Sequence, residues 1–251
     1  MNKKLKLGLL VFFIGFVGVL STLTMDIPLP EEMQKMVSEL FTPWQFKLLN
    51  LINPSILLLV AVVMGVFLYD KVNFKLPIIE SLIYRDKQTE SSGILKYGII
   101  GGIISGILIT LTAIAFNPIL PTEFIEMGEK FKPTLAARFL YGGLTEEIII
   151  RFGIMTFFVW LIFKISGKLN PIVYWIGILV SAIIFGFGHL PIVYTLIGTP
   201  TTELILYIIF GNAVGGIIFG WLYWKKGLET AMIGHVFAHI VIIIGENIFN
   251  I

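Results

Sequence analysis

The stretch Tyr141–Phe152, YGGLTEEIIIRF, decides how the chain is read, because it sets two glutamates and an arginine inside a run otherwise apolar enough to span a membrane. A charged side chain near a bilayer centre costs at least about 2.5–3.5 kcal/mol even on the lenient insertion scale, so Glu146, Glu147 and Arg151 are expected to face protein or water. On an α-helix Glu147 and Arg151 lie four apart and share a face, where they can pair. Glu146 points roughly 100° away from Glu147, which frees it to serve a group across the bundle. A packing ion pair beside a snorkelling acid is the plainer alternative.

The rest of the chain agrees with a membrane setting. Of its 251 residues 57% are hydrophobic and 14% charged, with a mean hydropathy of +0.92, against roughly 25% charged in soluble domains. Eighteen basic and sixteen acidic residues nearly cancel, and no basic block suggests a nucleic-acid partner. The absence of cysteine excludes thiol nucleophiles, disulfides and thiolate metal sites. Lys3, Lys4 and Lys6 precede an apolar run with no small-x-small cleavage site after it, so that run reads as a retained first helix.

Stretches near 7–25, 51–69, 94–115, 134–163, 171–189, 203–223 and 228–249 are each long enough to cross the hydrocarbon. The expected fold is therefore an all-α polytopic bundle of about seven transmembrane helices, with an eighth if Asp26–Asn50 supplies an interfacial helix. Asp70–Ser92 reads as the longest charged connection and Leu190–Thr202 as an outer loop. With the N-terminus inside, the inner segments hold Lys3, Lys4, Lys6, Lys71, Lys75, Arg85, Lys87, Lys96, Lys164, Lys168, Lys225 and Lys226. The outer ones hold Lys35, Lys47, Lys130, Lys132 and Arg138, so the positive-inside rule favours a cytoplasmic N-terminus. Gly98, Gly102 and Gly106, Gly211 with Gly215, and Gly216 with Gly220 recur at four and predict close helix packing in one domain over 1–251.

All three histidines, His189, His235 and His239, fall in apolar helical runs of the last third. Phe185 lies one turn before His189, and His235 and His239 project from one face of the last helix. A lone buried histidine is usually a hydrogen-bonded structural residue. Three of them together with Glu146 suit a chemistry in which the glutamate takes a proton from water while an imidazole holds it. The hydroxide attacks a peptide carbonyl, and further imidazoles donate to the oxyanion. No Gly-x-Ser-x-Gly is present, and Asp26, Asp70 and Asp86 lie in connections, so serine and aspartyl routes lack support. A proton-coupled transport or binding protein remains the reading from another class, although acids such as Glu203, Glu229 and Glu246 sit near helix ends and trace no conduit.

These residues resemble the Rce1-like CPBP family, also called Abi or CAAX-protease intramembrane endopeptidases. Its Glu-Glu-x-x-x-Arg motif is matched by Glu146, Glu147 and Arg151, its Phe-x-x-x-His by Phe185 and His189, and its third motif by His235 with His239 in last place. The resemblance covers about residues 138–245 and implies a catalytic core over 134–249. It implies Glu146 as general base, His189 as its water-binding partner and His235 as an oxyanion donor. Glu147, Arg151 and Phe185 take structural or substrate-orienting roles. His239 departs from the amide or carboxylate of the family pattern, though a neutral imidazole still donates one hydrogen bond. The family picture favours no cofactor; zinc held by Glu146, His189, His235 and His239 is the alternative. The implied partners are a membrane protein or peptide substrate and the lipid bilayer; the short loops and small size suit a microbial plasma membrane.

One expectation conflicts with a flat seven-span drawing. At 1.5 Å per residue Glu146 is about 27 Å from Lys164 and His189 about 27 Å from Pro171, whereas His235 is about 10 Å from Leu228. Either helices four and five tilt or project, or the Lys225–Leu228 turn dips into a water-filled cavity.

Overall fold

The computed structural model describes residues 2–26, 28–84, 91–130 and 132–249. Arg85, Asp86 and Lys87 of the charged connection lie outside the described residues. Every regular element among those described is helical: α1 (Lys3–Ser21), α2 (Glu31–Leu40), α3 (Pro43–Leu49), α4 (Ile52–Leu68), α5 (Pro77–Tyr84), α6 (Ser91–Phe116) and α7 (Thr122–Lys130). Two π-helical stretches follow, π1 (Ala137–Glu146) and π2 (Ile148–Met155), and run directly into α8 (Thr156–Ser166). The chain closes with α9 (Pro171–Gly188), α10 (Leu190–Ile197), α11 (Thr202–Lys226) and α12 (Leu228–Phe249).

Seven helical segments among the described residues are long and apolar enough to cross a membrane, and the chain is an integral membrane protein with a polytopic all-α fold. Two spans are longer than the sequence suggests. The second runs from Pro43 to Val72, because α3 leads into α4 across Asn50 and Leu51, both in helical conformation. The fifth runs from Pro171 to Ile197. Most of the expected Leu190–Thr202 loop is thus helix. His189 keeps near-helical angles between α9 and α10, and Pro191 falls in the first turn of α10, where its missing N–H takes nothing from the hydrogen-bond ladder. The connection shrinks to the residues after Gly198, which sits at φ 76°.

Packing follows the small residues. A Cβ at Gly98, Gly102 or Gly106 would meet Ile233, Phe237 or Val241, so these glycines seat α6 on α12. Gly216 and Gly220 likewise seat α11 on Ala182 and Ile178 of α9. Gly211 does not conform: a Cβ there would meet nothing within 4 Å.

The π-helical segment is held from both sides. Thr145 Oγ1 donates to the Gly15 carbonyl at 2.7 Å, and a Cβ at Gly15 would press on Leu58 and Ile148, so α1 and α4 flank it. Thr156 Oγ1 donates to the carbonyl of Arg151, five residues back, at 3.0 Å. A π turn takes more residues per turn than an α turn, so successive side chains diverge less than the 100° anticipated for Glu146 and Glu147.

The turn before α12 is covered by protein. Leu228 N donates to Lys75 O at 3.1 Å, Ile79 N donates to Glu229 Oε1 at 2.8 Å, and Pro77 lies against Gly227. Leu228 and Glu229 are buried. The fourth and fifth spans are 30 and 27 residues long, more than the roughly 20 that cross the hydrocarbon, which suits helices that tilt or project. His235, two turns into α12, comes within 3.9 Å of Glu146.

Candidate active site

Glu146, at the end of π1, directs its carboxylate between two imidazoles. Its Oε1 is 3.9 Å from His189 Nε2 and its Oε2 is 3.9 Å from His235 Nε2. Separations of this size are too long for a direct hydrogen bond and are of the kind one water bridges. Glu146 is 18% and His189 33% exposed, so this part of the site is reachable, whereas Glu147 and Arg151 are wholly buried.

The other ring nitrogens are committed. His189 Nδ1 donates to the Phe185 carbonyl at 2.9 Å, and His235 Nδ1 donates to Glu147 Oε1 at 2.9 Å. In neutral His189 this leaves the Nε2 lone pair turned toward Glu146. His235 is wedged between two rings, Phe219 at 4.6 Å and 19° and His239 at 5.0 Å and 17°. His239 Nδ1 is buried without a partner among the described residues. Its Nε2 looks toward Gly142, where an added Cβ would stand 2.7 Å from it and 3.5 Å from His235 Nε2. The two Nε2 atoms therefore face the same stretch of π1 as a shared cradle, with His239 packed close against the backbone because residue 142 has no side chain.

Beneath this layer, Arg151 Nε is 3.3 Å from Glu147 Oε2. The pair forms as the four-residue spacing predicts, since the wider π turn still keeps such residues on one face. Glu147 does more than pair with arginine, however. One oxygen meets Arg151 and the other holds His235, so the carboxylate links the guanidinium to the imidazole. The Glu147–Arg151 contact is an ion pair without hydrogen-bond geometry, and Arg151 Nε, Nη1 and Nη2 have no hydrogen-bond partner among the described residues. Its guanidinium instead lies 5.4 Å from the Phe185 ring centre and 5.9 Å from that of Phe219. Phe185 also meets His189 edge-on at 4.8 Å, so one aromatic side chain braces both the cation and the imidazole.

Among the described residues no three His, Asp or Glu side chains converge as a metal-ligand set. In the alternative zinc set of Glu146, His189, His235 and His239, two of the three rings commit Nδ1 to protein acceptors and leave Nε2 free, an orientation that suits water binding and zinc binding alike, while His239 stacks on His235.

All seven residues singled out from sequence thus lie in one cluster. Three neighbours were not anticipated. Phe219 and Gly142 carry no spacing signal that ties them to the histidines. Asn212 did carry one: it is the only amide in the apolar run 203–223, the same kind of exception that drew attention to Glu146. Together with Phe185, Phe219, His235 and His239 it lines a cavity of about 140 Å³.

Residues 129–241 match the profile of a family described as type II CAAX prenyl endopeptidase Rce1-like. No curated protein and no solved structure matches the chain.

Proposed function

We propose that this chain, whose residues 129–241 match the Rce1-like family, is an intramembrane endopeptidase in which Glu146 activates water against a peptide bond of a membrane-associated protein or peptide. The observation that carries the reading is the Glu146 carboxylate set 3.9 Å from both His189 Nε2 and His235 Nε2. A water between them gives one hydrogen to Glu146 and the other to the His189 lone pair, which leaves an oxygen lone pair for attack. As attack proceeds Glu146 takes the first proton, and the carbonyl oxygen becomes an oxyanion in the cradle before Gly142. His239 is the neutral donor there, because its buried, unpartnered Nδ1 leaves the proton on Nε2. His235, already donating through Nδ1, adds a second donor when it is the imidazolium. Glu146 then delivers its proton to the departing amine, so the two products together contain the elements of one water. Each of these steps uses only side chains of this chain.

The bundle provides the setting. Its site is formed by spans that bury their polar groups against one another, so the substrate is drawn from the bilayer or its surface. The lysine and arginine asymmetry between alternate connections favours a cytoplasmic N-terminus, and the short connections suit a microbial plasma membrane.

The test is cleavage of a membrane-associated reporter by purified protein carrying Glu146→Gln, His189→Ala or both. Each single change is expected to remove nearly all turnover while folding is retained, and the double variant to be no worse than either, because base and partner act as one unit. Substantial cleavage by Glu146→Gln would refute the assignment. Loss of ion flux in vesicles, with no cleavage by the wild type, would transfer the site to proton transport.

A further inference from the structure

The cavity beside the histidines has no part in the chemistry above. It measures about 140 Å³ and lies between α6, α9, α11 and α12. Ile109, Phe185, Phe219 and Ile242 make its walls apolar, while Tyr207 and Asn212 add polar groups. His235 and His239 line it as well. It therefore shares a wall with the cradle where the attacked carbonyl is placed.

We propose that this cavity receives one large apolar side chain of the substrate, on a residue flanking the cleaved bond, and that Gly211 keeps it open. The inference rests on the endopeptidase reading. Size selects the occupant: an engineered apolar cavity of about 150 Å³ admits a benzene ring, so a phenyl or isobutyl group fits here and an isoprenoid chain does not. Gly211 sets that size. Gly215, Gly216 and Gly220 on the same helix would each drive a Cβ against a neighbour, Ile109, Ala182 and Ile178 respectively. Gly211 alone of these four faces open space, and it is one of the residues lining the cavity. Helix packing does not require glycine there, and glycine is a poor helix former. What its missing side chain leaves is the space itself. A peptide whose carbonyl sits before His239 has its flanking side chains within reach of a cavity walled by that same ring.

The experiment uses the full chain in detergent and peptides identical except for Ala, Leu or Phe on either side of the cleaved bond, with kcat/KM and the cleavage position read for each. Wild type is expected to prefer Leu or Phe on one side. Gly211→Leu, whose Cβ meets nothing within 4 Å among the described residues and whose isobutyl group takes up cavity space, is expected to lower turnover of those peptides by roughly 10–200-fold and to spare the Ala peptide. Ile242→Ala, which enlarges the cavity, is expected to shift preference toward Trp, and it provides an independent reading should Gly211→Leu fold poorly. An unchanged preference in both variants overturns the pocket while leaving the endopeptidase reading standing. A uniform fall across all peptides in Gly211→Leu overturns it too, since that is the result of a cavity occupied by lipid or needed only for structure. A wild type that cleaves no peptide removes the endopeptidase reading and the pocket with it.

Discussion

Gly142→Ala tests the oxyanion donors most directly, because it presses one methyl against the His239 imidazole. The methyl carbon would lie 2.7 Å from His239 Nε2, 3.3 Å from its Cδ2 and 3.5 Å from His235 Nε2. Ordinary van der Waals contact begins at 3.4 Å, so His239 must retreat by about 0.7 Å, the difference between 3.4 and 2.7. The ring is stacked at 5.0 Å on His235, which is stacked in turn on Phe219, so retreat disturbs the column. Retreat withdraws the His239 Nε2 donor, which removes about 10²–10³ in kcat, or about 2.7–4 kcal/mol of transition-state stabilisation. Folding should change little, because alanine is favoured over glycine in a helix interior by about 0.8–1.0 kcal/mol and this offsets the strain at the ring. The measurement is reporter cleavage under single-turnover conditions beside a melting curve in the same detergent. Gly128→Ala, at a position where a Cβ meets nothing within 4 Å, serves as control and should be silent. A Gly142→Ala protein that melts normally and cleaves at the wild-type rate would show that the oxyanion is stabilised elsewhere.

Three further outcomes follow from the same geometry. Arg151→Ala should lose about 3–5 kcal/mol of stability, because it leaves the fully buried Glu147 without its cation; Arg151→Met with Glu147→Gln should recover folding but not activity, since His235 then lacks its anionic acceptor, and normal melting of Arg151→Ala would refute the pairing. His239→Asn should keep much of the turnover and His239→Ala little, because an amide still donates a hydrogen bond; stoichiometric zinc in active wild type, lost together with activity in His239→Asn, would overturn the metal-free mechanism. Glu229→Ala should cost about 1–3 kcal/mol by orphaning the buried Ile79 N–H, whereas Glu229→Gln keeps an acceptor and should melt close to wild type. Equal melting of these last two variants would show that the turn before α12 does not depend on this bond.

Much of this protein is legible in its sequence, and for definite reasons. Hydrocarbon thickness dictates the length of each apolar run, so seven spans can be counted before any are placed. The cost of charge in that medium singles out Glu146, Glu147 and Arg151, and the rarity of histidine singles out the other three. Four-residue spacing survives in the helix geometry that forms, so the Glu147–Arg151 pair is anticipated as well. What the sequence does not carry is the relation between helices. It gives no sign that Tyr141–Phe152 winds as a π-helix, which narrows the angle between the two carboxylates and lets both reach His235. Nor does it show that Lys75 and Ile79 close over the Gly227 turn from which the helix bearing His235 starts. Phe219 joins the histidine column only because α11 packs beside α12, and Gly211 differs from Gly215 only because no neighbour approaches it. A residue's cost in a membrane is a property of its own side chain and can be summed along the chain. Which atoms lie across a gap of a few ångströms depends on how separate helices settle against one another, and that is decided only in the packed bundle.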